Sequence, residues 1–69
     1  MNNIKIRIEK YQDFSWYTIY HNANSVDKLR VALLKISNEF VIYTYGQKSA
    51  RATIKFNQSL LNKELNIKV

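Results

Sequence analysis

From Ile4 to Lys10 the chain reads IKIRIEK, so that Ile4, Ile6 and Ile8 alternate with Lys5, Arg7 and Glu9. Apolar residues two apart share one side of an extended chain but scatter around a helix, so this segment is a strand with one apolar and one charged face. The period then changes. In NANSVDKLRVALLKISNEF, Val26, Leu29, Leu33, Ile36 and Phe40 recur at three- and four-residue spacing, one stripe of an amphipathic helix, while Asp27, Lys28, Arg30, Lys35 and Asn38 lie off it. Alternation returns in VIYTY and in ARATIKF, where Ala50, Ala52, Ile54 and Phe56 fall on one side and Arg51, Thr53 and Lys55 on the other. A hydrophobic period of two, then 3.6, then two again restricts the chain to an α+β fold.

The segments between supply the connections. YQDFSWYTIYH breaks at Gln12 and Asp13 and resumes as an aromatic, β-branched stretch from Trp16 to Tyr20, the second strand of a hairpin. Asn24 or Ser25 can cap the helix, Asp27 complements the positive end of its dipole, and Glu39 opposes the other end. The single glycine, Gly46, opens the turn Gly46-Gln47-Lys48, where positive φ is expected at a hairpin reversal. In NQSLLNKELNIKV, a helical turn starting at Asn57 or Ser59 and a short edge strand from Ile67 to Val69 are expected. The whole reads as a small two-layer β-β-α-β-β domain over 1–69. It has an antiparallel sheet, one main helix packed on one face, and a short C-terminal helix or strand in addition. Val31 and Leu34, beside the apolar stripe, are expected to widen the helix's core face rather than form an exposed patch.

Several chemistries are excluded by what the chain lacks. Without cysteine there are no disulfides, thiolate nucleophiles or cysteine-ligated metals. One glycine cannot build a Walker loop or a dinucleotide fingerprint. His21 is the sole histidine and is expected at the surface, and the carboxylates Glu9, Asp13, Asp27, Glu39 and Glu64 are scattered over different elements. No enzyme, cofactor, metal site or small-molecule substrate is expected. Lys5 and Arg7 interrupt the first apolar segment and no apolar run is long enough to span a membrane, which points to a cytoplasmic protein with no membrane partner.

What remains is binding. Eleven Lys and Arg against five Asp and Glu give a formal charge of +6, a field that favours anionic partners. Asn, Ile and Lys occur eight times each, a composition that AT-rich coding also favours, so not every lysine needs a functional reason. With Ile42 and Thr44 toward the helix, Val41, Tyr43 and Tyr45 face away from it. There they would join Lys5, Arg7, Arg51 and Lys55, with Lys48 in the turn and Trp16 or Tyr17 according to register. Rings mixed with cations suit nucleic acid or an acidic nucleoprotein surface. Tyrosine's preference for strands and lysine's for water account for the same residues without any partner. Neither a helix-turn-helix nor the order of an RNA-recognition fold is present, so no sequence-specific readout is expected. A homodimer face is one alternative. Another is a protein-interaction module that binds a host effector protein directly, by analogy of size and composition with inhibitors from phage and mobile elements, anti-CRISPR proteins included. That analogy rests on no shared motif.

Overall fold

The computed structural model describes residues 3–12 and 16–69; Asp13, part of the expected hairpin break, lies outside them. The described residues form strands β1 (Asn3–Lys10), β2 (Trp16–His21), β3 (Phe40–Tyr45), β4 (Ser49–Ile54) and β5 (Glu64–Lys68). Between β2 and β3 lies helix α1 (Val26–Leu34), and between β4 and β5 a 3-10 turn (Gln58–Leu60). All five strands join one antiparallel sheet in the order β3-β4-β2-β1-β5. The expected α+β class and antiparallel sheet are therefore present, with one correction. A fifth strand closes the far edge against β1, longer than the expected Ile67 to Val69 and starting at Glu64. Within the sheet β4 lies between β2 and β3, so the chain passes from β2 through α1 to a strand that is not its neighbour.

The alternation in the sequence sets which residues meet inside. Ile4, Ile6 and Ile8 of β1, Tyr17 and Ile19 of β2, and Ala50, Ala52 and Ile54 of β4 share one buried cluster with Leu29, Ala32 and Leu33 of α1. Ile6, Ile8, Ile19, Leu29 and Leu33 are the largest side chains shut completely away from water. Each is worth about 1.5–3 kcal/mol in transfer from water, which makes this cluster the main source of stability in so short a chain. Phe56 and the 3-10 turn cover another part of the same face. The Phe56 ring meets Tyr17 edge-on at 5.2 Å, Gln58 Nε2 donates to the Tyr17 hydroxyl at 3.3 Å, and Asn62 N–H donates to the Ile8 carbonyl at 2.8 Å. Asn57 caps the turn through Ser59 N–H at 3.0 Å.

The helix is shorter than its apolar stripe. Ser25 caps it, accepting the Lys28 N–H at 3.2 Å, but it ends at Leu34 rather than running on to Phe40. Ser37 is the reason. Its buried hydroxyl accepts the Glu39 N–H at 3.1 Å and donates to the Lys55 carbonyl, which ties the chain after α1 to the end of β4 instead of to another helical turn. Serine competes for backbone partners in this way whenever a non-helical path offers them. Phe40 then opens β3 opposite Ile54. Val31 and Leu34 are 47% and 58% exposed, so they do not widen the core face as expected; they form a small apolar patch on the helix's outer side.

Gly46 occupies the hairpin reversal, but not with positive φ. A Cβ there would stand 2.9 Å from the Ser49 carbonyl oxygen, to which Gly46 N–H donates at 2.7 Å. Close backbone approach, not handedness, makes it glycine. The one described residue with positive φ is Asn62, at 63°, in the turn leading into β5.

Candidate nucleic-acid interface

The strand registers arrange the side of the sheet opposite the core in rows. In one row, Glu9 of β1, Thr18 of β2, Arg51 of β4 and Thr44 of β3 lie side by side; in the next toward the β1–β2 turn, Trp16, Thr53 and Val41 follow one another. Tyr11 extends that row past the end of β1, its N–H donating to the Trp16 carbonyl at 3.1 Å. On the other side of Arg51's row come Glu64, Arg7, Tyr20 and Ser49, and beyond them Asn66 and Lys5. Strand alternation thus gathers Lys5, Arg7, Trp16 and Arg51 on one face.

The register shifts between Ile42 and Thr44. One extra residue on β3 reverses the phase of everything after it, so Tyr43 and Thr44 both stay off the core side. Tyr43, 53% exposed, sets its ring 4.5 Å from that of Trp16, reaching over Thr53 of the intervening strand. Tyr45, expected on this face, turns to the core side instead. Its hydroxyl donates to the Ala23 carbonyl at 2.9 Å and its ring stacks on His21 at 5.2 Å, so it is removed from the candidate surface. Between the two β2 candidates the register selects Trp16, while Tyr17 is buried.

Two cation–ring contacts complete the surface. The Arg51 guanidinium lies 3.6 Å from the centroid of Tyr11, and that of Arg7 lies 4.8 Å from the centroid of Tyr20. Neither tyrosine was among the expected residues. Their signal was in the sequence, since Tyr11 continues the odd-numbered positions of Lys5, Arg7 and Glu9, and Tyr20 continues Trp16 and Thr18. Lys68, opposite Asn3 at the β5 edge, is a further exposed cation on this side. Lys55 lies exposed one residue past β4, and Lys48 is exposed in the β3–β4 turn, outside the paired rows.

Two of the cations have carboxylate neighbours. Arg7 Nε meets Glu9 at 2.7 Å and Lys5 Nζ lies 3.9 Å from Glu64. These side chains are all substantially solvated, so each pair contributes about 0–1 kcal/mol and holds its cation only loosely against a polyanion. Next to Thr53 and Val41 the face falls away into an open groove of about 610 Å³, lined among others by Asn38, Glu39, Phe40, Lys55 and Gln58.

His21 is not at the surface as expected but 7% exposed, and its ring is fully engaged. Nδ1 accepts the Ala23 N–H at 3.0 Å, so the neutral ring carries its proton on Nε2, which donates to the Gly46 carbonyl at 2.9 Å. Burial holds its pKa below the ordinary imidazole value, against the pull of the Gly46 carbonyl toward the charged form. His21 therefore clamps the entry of α1 to the β3–β4 turn. No protein-family model, curated protein or solved structure matches the chain. Its surface chemistry has to speak for itself. Among the described residues no helix is long and apolar enough to cross a membrane.

Proposed function

We propose that this is a charge-assisted, non-catalytic binding protein whose open sheet face holds nucleic acid, free or within a nucleoprotein complex. The observation that carries this reading is the convergence on one side of the sheet of Arg51 over Tyr11, Arg7 over Tyr20, and Trp16 against Tyr43. The same side carries Lys5 and Lys68, Lys55 is exposed just past β4, and the chain as a whole carries +6. Guanidinium and ammonium groups neutralise phosphate, while rings on a solvated surface offer flat faces to bases, with stacking worth ~1–3 kcal/mol per base.

Salt titration tests it. Affinity for an oligonucleotide should fall with salt by about 0.7 in log K per phosphate neutralised for each tenfold rise in concentration. Exchanging Arg51 and Lys55 for Glu should abolish binding in moderate salt with the circular dichroism spectrum unchanged, since exposed strand positions tolerate substitution within ~0.5 kcal/mol. Binding that ignores both salt and this charge reversal would overturn the reading. A stoichiometric complex with a host protein that survives nuclease treatment would replace nucleic acid by a protein partner.

A further inference from the structure

Resting on that reading, we infer that the ligand of this face is single-stranded nucleic acid, lying across the strands along a band formed by Tyr11, Arg51, Trp16 and Tyr43. Shape decides against a duplex. Five strands at about 4.8 Å spacing make a platform roughly 19 Å wide, whereas the major groove of B-DNA, about 12 Å wide, admits a helix or a two-stranded ribbon. The element narrow enough to enter it, α1, turns outward a side on which Val31 and Leu34 are exposed and Asp27 sits beside Arg30 at 3.5 Å. Lys28, Arg30 and Lys35 are exposed there too, but Val31 and Leu34 set an apolar ridge among them, a poor fit to a phosphate-walled groove.

The chemistry of the band points the same way. Its members are rings and a guanidinium, groups that bind by stacking, and only unpaired bases leave their own faces free to stack on them. The Arg51 guanidinium carbon already lies over the Tyr11 ring, 3.6 Å from its centroid, so a base stacked on the guanidinium would extend an existing pile. Tyr43 is held against Trp16 at one side while remaining half exposed. The bulge in β3 leaves this contact in place, because the phase slips only after Tyr43: Thr44 stays on the open side with it and Tyr45 turns to the core. Past Val41 and Thr53 the band leads into the groove where Asn38, Glu39, Lys55 and Gln58 supply donors and acceptors around Phe40. That is a setting for the edge of one unstacked base at the end of the strand. Phosphates between the stacked positions meet Arg7 and Lys5 on one side and Lys55 on the other.

Trp16 is the chain's only tryptophan, so its fluorescence reports on the band directly. The full-length protein is titrated with oligo(dT), oligo(U), a duplex of the same length, and an abasic strand that keeps the phosphates and lacks the bases. The expected result is quenching of Trp16 by the two base-bearing single strands, with affinity at least about tenfold above that for the duplex and the abasic strand. Tyr43→Ala should lower oligo(dT) affinity about tenfold and leave abasic-strand affinity unchanged. A difference between oligo(dT) and oligo(U) assigns the strand to DNA or RNA within the inference. Duplex or abasic binding as tight as that of oligo(dT) overturns the single-strand inference while the broader nucleic-acid reading stands. Absence of binding to all four ligands overturns both.

Discussion

At the scale of single residues, His21 and Asn62 each carry a definite consequence. His21 is satisfied only as a neutral ring, because the Ala23 N–H needs the lone pair on Nδ1. Burial keeps its folded pKa below the unfolded value of about 6.5, so between the two the unfolded chain takes up a proton that the folded chain refuses. Stability from this group is therefore complete above about pH 6.5 and is lost as pH falls through that value toward the lower folded one. Chemical denaturation midpoints measured from about pH 7.5 down to about pH 5 should decline accordingly, and His21→Gln, whatever its baseline, should flatten the decline. An unchanged slope in that variant would show that the clamp does not titrate. Asn62 sits at φ 63°, where a side chain with a β-carbon is disfavoured by about 1–2 kcal/mol and asparagine is among the most tolerant. Asn62→Gly should accordingly hold or raise the melting temperature, while Asn62→Val should lower the stability by at least about 1 kcal/mol. The alternation of the sequence could not announce either role. A lone histidine after a strand reads as a surface residue until the turn it reaches, some twenty-five positions later, is brought beside it.

At the scale of elements, what was legible follows from how local each signal is. β1 and β4 come straight from alternation and β2 from its aromatic, β-branched run, and Ile4, Ile6, Ile8, Ala50, Ala52 and Ile54 are all buried as their spacing requires. The start of α1 was equally plain, with Ser25 capping and Leu29 and Leu33 inside. Its end was not, because Ile36 and Phe40 fit a helical stripe as well as they fit the exit loop and β3, and the choice was made by Ser37 bonding to a carbonyl eighteen residues away. The bulge in β3 is invisible to a period count for the same reason. VIYTY alternates without interruption, yet one slipped residue after Tyr43 leaves Thr44 on the open side and sends Tyr45 inward to the Ala23 carbonyl. Five of the candidate surface residues, Lys5, Arg7, Trp16, Tyr43 and Arg51, keep the orientation that alternation gives them; Tyr45 fails at the bulge, Lys48 lies in a turn where alternation gives no rule, and Lys55 lies past the last paired residue of β4. The helix assignment has its own test. Leu33 is wholly buried in the core cluster, so Leu33→Ala should cost about 2–5 kcal/mol in urea denaturation. Leu34→Ala, one residue on and 58% exposed, should change stability by less than about 0.5 kcal/mol. Similar losses in the two would mean that α1 is rotated about its axis from the position described.

At the scale of the whole molecule, charge and rings should act on different halves of the binding reaction. A formal +6 on a body with principal extents of 35 × 23 × 19 Å surrounds the protein with a positive field that extends beyond its surface by about a Debye length, roughly 10 Å at 0.1 M salt. On the proposed function, that field would draw a polyanion in before any contact is made and so govern the association rate. The stack of Trp16 and Tyr43 would act only after the strand had arrived, over contact distances, and so govern how long the strand stays. Stopped-flow measurements with oligo(dT) should separate them. In Arg51→Glu the association rate should fall severalfold at low salt and its dependence on ionic strength should weaken, because the sign of a cation in the middle of the face has been reversed. In Tyr43→Ala the association rate and its salt dependence should stay as they are while dissociation accelerates about tenfold, the equivalent of one lost stacking contact. If Tyr43→Ala instead slowed association and left dissociation alone, the ring would be shaping the sheet rather than meeting a base, and the face would be bound through its cations alone.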